Sequence, residues 1–209
     1  MFIDRAGLPF IGIALILAAG FGWWMGRGAT VPFLVLAAFF VFFFRDPNRV
    51  TPTGPNLVVS PADGRVMIAG DPAGAGAPTG DWKQISIFLS PLDVHVNRTP
   101  VEGRVTHVEY HPGTFLPAYQ KEAGELNEWT EVWFERGGRP VVCRQIVGIL
   151  ARRIVCRLKA GDQVERGQRF GVMKFGSRID LFLPTSSRIA VKVGDRVVSG
   201  ETTLATVEP

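Results

Sequence analysis

Cysteine and histidine are scarce in this chain, with two of the first and three of the second among 209 residues. Cys143 and Cys156 each sit in an apolar Val-Cys-Arg setting, which suits buried free thiols better than a disulfide framework or a metal site. No metal is expected. Runs of Lys or Arg are missing, and so is any nucleic-acid-binding signature, so the net charge of +4 and pI near 9.4 point to an anionic membrane surface and not to nucleic acid. Low-complexity tracts are also missing. With 46% apolar residues the chain is neither disordered nor fibrous, and its length suits one globular domain with an appendage.

The appendage is N-terminal. Leu8 to Met25 carries no charge, Gly26-Arg27-Gly28 interrupts it, and Thr30 to Phe44 is again apolar up to Arg45. As helices these runs reach about 27 and 23 Å against roughly 30 Å of hydrocarbon, so two short spans and a shallow helical hairpin both fit. Either way residues 1–48 form a membrane-anchoring segment that leaves both its ends on one side. Arg5, Arg45 and Arg49 favour the cytoplasmic face of the cell membrane for that side, and Trp23 and Trp24 suit an interface. The rival is a cleaved signal peptide ending near Ala18-Ala19-Gly20; the second apolar run and the lack of disulfides argue against it.

From residue 49 onward the chain reads as mainly β. Short β-branched runs at Arg65–Ile68, Gln84–Leu89, Arg104–Val108 and Thr130–Phe134 alternate with Gly, Pro and Asp turns. Gly137-Gly138 predicts a hairpin turn, Gly70 to Gly80 an exposed loop, and Tyr110 to Glu128 a long loop suited to a substrate entrance. A repeat relates Lys159-Ala160-Gly161-Asp162 to Lys192-Val193-Gly194-Asp195. It resembles the hammerhead of biotinyl and lipoyl carrier domains, where Lys174 at a hairpin tip would take the modification. The alternative is a barrel- or sandwich-like β scaffold that holds Gly176-Ser177 at a hairpin.

Gly176-Ser177 is the most informative dipeptide. By default it is an ordinary turn. Yet glycine offers an unhindered carbonyl and tolerates strain, so Ser177 Oγ could attack the Gly176 carbonyl, convert the amide to an ester and be eliminated. Phe44-Arg45-Asp46-Pro47 after an apolar N-terminus, Ser60-Pro61-Ala62-Asp63-Gly64, Asp93-Val94-His95, Asn127-Glu128 and Phe175-Gly176-Ser177, in that order, resemble the short form of phosphatidylserine decarboxylase. The resemblance covers nearly the whole chain. It implies a proenzyme, with a catalytic domain over residues 49–209, that cuts itself into a 1–176 β chain and a 177–209 α chain. These stay together as a heterodimer, open to further assembly. Ser177 would become a covalent pyruvoyl cofactor that forms a Schiff base with phosphatidylserine and yields phosphatidylethanolamine. A decarboxylase for another lipid or amino-acid headgroup fits the same residues.

Serine at its free pKa is a weak nucleophile, so cleavage needs a base. His107 within a strand and His111 before Pro112 suit sheet and loop roles; His95, in Asp93-Val94-His95, is the candidate base. The resemblance implies that Asp63 pairs with a histidine, and so would orient His95. Relatives commonly carry a second histidine three positions later, where this chain has Arg98. Arg98 is the candidate ligand for a substrate phosphate or carboxylate, and Phe175, Leu181 and Phe182 are candidate apolar lining.

Overall fold

A computed structural model of the chain describes residues 2–72, 76–149, 154–174 and 176–207, in two compact units, Met1–Asn48 and Arg49–Pro209. In the first unit, strand β1 (Phe2–Ile3) is followed by helices α1 (Leu8–Met25) and α2 (Val31–Phe43) and by β2 (Arg45–Asp46). Proline near the first turn of each helix suits their starts. Gly26, at φ +89°, ends α1 in a backbone region that glycine alone enters without strain. The helices pack antiparallel, Phe10 on Phe40 and Phe21 on Phe33, and β1 pairs with β2. Both ends of the unit therefore emerge together. Among the described residues, Arg5–Met25 is long and apolar enough to cross a membrane, with mean hydropathy 1.9, and Arg27–Phe43 is a shorter apolar helical stretch. Trp23 and Trp24 stand exposed near the end of α1.

The regular structure of the second unit is almost all strand. In chain order it holds β3 (Leu57–Val59), β4 (Gly64–Gly70), β5 (Trp82–Leu89), β6 (Val96–Arg98), β7 (Gly103–His111), the one-turn α3 (Ala123–Leu126), β8 (Trp129–Arg136), β9 (Arg139–Val147) and β10 (Ile154–Cys156). Then follow β11 (Gln163–Val164), β12 (Arg169–Met173), β13 (Ser177–Pro184), β14 (Arg188–Ile189), β15 (Arg196–Val197) and β16 (Thr203–Thr206). An antiparallel eight-stranded sheet runs β11-β7-β8-β9-β13-β5-β4-β15, beside three-stranded sheets β10-β12-β6 and β14-β16-β3. Gly137 and Gly138, both at positive φ, turn β8 into β9 with Arg136 opposite Arg139, the geometry that a two-residue hairpin loop demands.

The repeat is real structure. Asp162 and Asp195 each accept from the backbone of the lysine three residues earlier, at 2.8 and 3.0 Å. Gly161 and Gly194 donate to Val105 and Val66, so one corner closes each outer edge of the large sheet. The core lies between the layers and includes Ile85, Ile87, Leu89, Phe134, Phe170, Met173, Ile179 and Leu181. Full burial of each such side chain contributes about 1.5–3 kcal/mol. Cys143 lies in this core and Cys156 is half-buried, both as free thiols; burial pushes the Cys143 thiol well above its ordinary value and leaves it unreactive.

The opposite face of the large sheet is polar and covered. Arg178 forks onto Asp180, and Arg144 bonds Glu131 and lies over the Trp129 ring. Gln120, Gly124 and Gly76 present carbonyls to these two arginines. The long loop is thus shorter than expected and tethered, since β7 runs on to His111 and α3 closes the loop at its far end. The Gly70 to Gly80 loop is tethered too, through the Gly76 carbonyl and through Ala77 packed near Trp82; residues 73–75 lie outside the described residues.

Candidate active site

Gly176-Ser177 does not sit in a hairpin. Met173 ends β12 in a three-stranded sheet, Ser177 opens β13 near the middle of the eight-stranded one, and the two strands do not pair. The chain crosses between layers here, which fixes both sides of the Gly176-Ser177 bond independently. Ser177 lies between Leu89 on β5 and Val147 on β9. Its side chain is buried and Oγ has no hydrogen-bond partner among the described residues. Such a hydroxyl costs roughly 1–3 kcal/mol, and a site that keeps one has a use for it. Gly176 is at φ +76°, where a side chain would be strained. A Cβ on Gly148 would stand 2.5 Å from the Gly176 carbonyl oxygen, so glycine at 148 is what lets that carbonyl in.

His95 is fully buried beside this bond. Its Nδ1 lies 2.9 Å from the Asp93 carbonyl, and the Gly176 N–H donates to its Nε2 at 3.3 Å. The tautomer that satisfies both contacts carries its proton on Nδ1 and presents a lone pair from Nε2 to the backbone at Gly176. The His95 carbonyl also accepts from Met173 N–H, so the imidazole and the crossing segment are held to one ladder.

Asp63 hydrogen-bonds elsewhere. Arg49 Nη2 reaches both its oxygens at 3.0 and 2.8 Å, and Ser199 N–H donates at 2.8 Å. Its carboxyl is nonetheless held above the usual carboxylate range, first by burial, with the Asp93 carboxylate adding to the effect, while Ser199 and Arg49 oppose it. Asp63 therefore stands behind the loop that carries His95, and the orienting hydrogen bond comes from the Asp93 backbone. Arg98 is buried and Nη1 donates to the Gly167 carbonyl at 3.1 Å. It lines a cavity of about 400 Å3 with Arg49, Arg166, Arg169, Thr51 and Glu165. Arg98 thus meets the Gly167 side of the domain, whereas His95 meets Asp93 and Gly176.

Asn127 is a clamp. Its amide bonds the Leu116 N–H and carbonyl and the Val147 carbonyl, each at 2.8 Å, and so ties the long loop to the strand residue opposite Ser177. His107 is exposed beside Glu109, and His111 stacks on Trp129. Leu181 lies in the core and Phe182 packs with Trp82 and Val142, so neither lines this site; Phe175 lies outside the described residues. Lys174 stands at no hairpin tip, because β12 and β13 do not pair. Sequence reasoning missed the Asp93 carbonyl and Gly148. A backbone acceptor has no residue signature, and Gly148 resembles any strand-end glycine.

Chemically, the arrangement offers a buried hydroxyl, an unhindered carbonyl beside it and an imidazole lone pair on the same backbone. A β domain that gathers a hydroxyl, a carbonyl and an imidazole in this way has the make-up of an enzyme. A family model described as Phosphatidylserine decarboxylase matches residues 36–205. The chain is 46% identical over 205 residues to the phosphatidylserine decarboxylase proenzyme of Symbiobacterium thermophilum, covering 97% of this chain and 94% of that relative. It is 42% identical over 207 residues to the same-named protein of Burkholderia multivorans, covering 99% and 96%. The chain belongs to the phosphatidylserine decarboxylase family.

Proposed function

We propose that this chain is the proenzyme of a membrane-bound decarboxylase that converts phosphatidylserine to phosphatidylethanolamine after cutting itself between Gly176 and Ser177. The observation that carries the proposal is the buried, unpartnered Ser177 hydroxyl next to a left-handed glycine whose N–H rests on His95 Nε2. His95 takes the Ser177 proton as Oγ bonds to the Gly176 carbonyl carbon, and gives it to the Ser177 nitrogen as the C–N bond breaks, leaving an ester and a free amine. Loss of the Ser177 Cα proton then breaks the Cβ–O bond, and the electron pair departs on the Gly176 carboxylate.

The residues fit a pyruvoyl group at position 177, since Ser177 supplies the carbons and burial keeps bulk water away. That group, when formed, supplies a ketone that condenses with the substrate amine and draws off the electron pair left by carbon dioxide. His95 Nε2 is the atom placed to hold a proton and return it to the substrate carbon. Asp63 acts at one remove, held by Arg49 and Ser199 and near enough to Asp93 for the two carboxyl groups to interact. Arg98 and the arginines around it offer a site for the headgroup phosphate.

The apolar helices of residues 1–48 hold the enzyme at its lipid substrate, on the cytoplasmic face by the placement of Arg5, Arg45 and Arg49. The cut chains stay associated because β13 is paired on both sides within the large sheet. Intact mass is the test. Purified protein should give two fragments, the smaller beginning at position 177 with a blocked N-terminus, and Ser177→Ala should give one uncut, inactive chain. A cut and active Ser177→Ala protein would overturn the proposal.

A further inference from the structure

Two buried amides face the same layer as Ser177. Asn97 and Gln145 have no exposed surface, and Gln145 Nε2 donates to Asn97 Oδ1 at 2.8 Å. Their other halves, Asn97 Nδ2 and Gln145 Oε1, have no partner among the described residues. Turning both amides over leaves the same deficit, one donor and one acceptor. Facing amides can satisfy each other twice, and this pair instead presents a donor and an acceptor to a third group. Gly171 keeps the space open, since a Cβ there would stand 2.9 Å from Gln145 Nε2.

Ser177 is their neighbour. It pairs with Val147 while Ile179 pairs with Gln145, so Ser177 and Gln145 are diagonal neighbours on one face, about 7–8 Å apart at the backbone and within reach of a bridge by long side chains. Asn97 approaches from the second layer, opposite Gly171 on the strand that leads to Gly176. Asn97 and Gln145 thus offer one orphan donor and one orphan acceptor beside position 177, and both remain after the Ser177 oxygen has left with Gly176. Two polar partners are the least that a buried water needs.

We propose that Asn97 and Gln145 position the water that completes maturation at residue 177. This rests on the self-cleavage proposed above. Scission leaves a 2-aminoacryloyl group at the new N-terminus. A proton moves from its nitrogen to the terminal carbon, giving a methyl group and a C=N bond. Water adds its oxygen to the carbon of the C=N bond, the C–N bond breaks as the nitrogen takes up the two water protons, and ammonia leaves a ketone behind, with no change of oxidation state overall. Asn97 Nδ2 holds the water oxygen, Gln145 Oε1 accepts one of its protons, and neither amide takes part in the attack by Oγ. They are positioning residues.

The test separates the two stages. Scission of the full chain is followed by gel, and release of ammonia with appearance of a hydrazide-reactive carbonyl on the small fragment, for wild type, Gln145→Met and Asn97→Leu. The expected result is normal scission in both variants with ammonia and carbonyl lagging about tenfold, the scale of one lost hydrogen bond to the water. If one variant fails to fold, the other decides. Ammonia release that keeps pace with scission would overturn the assignment, and so would a folded variant that remains uncut. A wild-type chain that never cuts would instead overturn the self-cleavage proposal itself.

Discussion

The Gly176 carbonyl oxygen rests against the backbone of Gly148, so close that a methyl group at 148 would stand 2.5 Å from it and 3.3 Å from Ala118 Cβ. Real Cβ atoms do not approach backbone oxygen so closely. The carbonyl that the proposed cleavage would attack is therefore positioned by an absence of side chain on the neighbouring segment.

Gly148→Ala should move that carbonyl and slow self-cleavage by about 10²-fold, the cost of a misplacement near 1 Å. Overpacking should also remove about 1–3 kcal/mol of stability. Time-resolved gels of chain scission beside urea unfolding in detergent give both quantities. Unchanged scission would mean that the carbonyl is held by something other than this contact.

Asn127 should matter for a different reason. Its Nδ2 donates to two carbonyls, Leu116 and Val147, and its Oδ1 accepts from Leu116 N–H and Thr114 Oγ1. Asn127→Asp replaces the two donated bonds with oxygen facing oxygen, so it should destabilise more than Asn127→Ala at neutral pH, by about 1–3 kcal/mol or more. Because a protonated acid can donate one of those bonds again, the gap between the two variants should narrow as pH falls. Thermal unfolding at pH 7 and pH 5 decides; a gap independent of pH would show that the amide is not the clamp.

The two apolar helices, the four sequence-predicted strands and the Gly137-Gly138 turn were legible because each is a local pattern, an apolar run, a β-branched run or a dipeptide. The Lys-x-Gly-Asp repeat was legible as well, since both copies carry the same turn chemistry. What the local pattern could not give is which strands pair. Met173 and Ser177 are four residues apart yet belong to different sheets, and so the expected hairpin is a crossover. Within the site, Ser177 and His95 were legible as reactive residue types. The Asp93 carbonyl was not, since a backbone acceptor two residues from His95 carries no residue signature, and the Gly148 contact was not, being brought in from a distant part of the chain. Arg178 and Asp180 carry no sequence signal of burial, which comes from the loop carbonyls that cover their face.

Asp63 should give the protein an unusual acid response. Its folded carboxyl titrates above the ordinary value of 3.8, with burial the leading cause. Between 3.8 and that raised value the folded state binds more protons than the unfolded one, so this group lowers stability as pH rises through the window and stops changing it above. Wild type should therefore lose stability relative to Asp63→Asn as pH is raised from about 4, measured by urea unfolding across the acidic range. Scission of Asp63→Asn should slow by about tenfold, less than changes at His95, because the residue acts at one remove. A stability difference that grows in wild type's favour with rising pH would contradict the sign.

His95 and Arg98 should separate cleanly, although they lie three residues apart. His95→Gln can keep a hydrogen bond from the Gly176 N–H but cannot take the Ser177 proton, so the chain should fold and remain uncut, with scission slowed by about 10²–10⁴. Arginine cannot give up its proton at neutral pH, and Arg98 faces a cavity of arginines instead of the imidazole. Arg98→Ala should therefore mature at nearly the normal rate and raise the KM for phosphatidylserine by about tenfold or more, the worth of one charge-assisted hydrogen bond, with kcat little changed. Arg98→Lys should restore part of the loss, because it keeps the charge and not the planar fork. Scission time courses for the three variants, beside steady-state decarboxylation for those that mature, measure both roles. Normal maturation of His95→Gln would remove the imidazole from the cleavage step, and an uncut Arg98→Ala chain would place Arg98 in the maturation machinery instead of the substrate site.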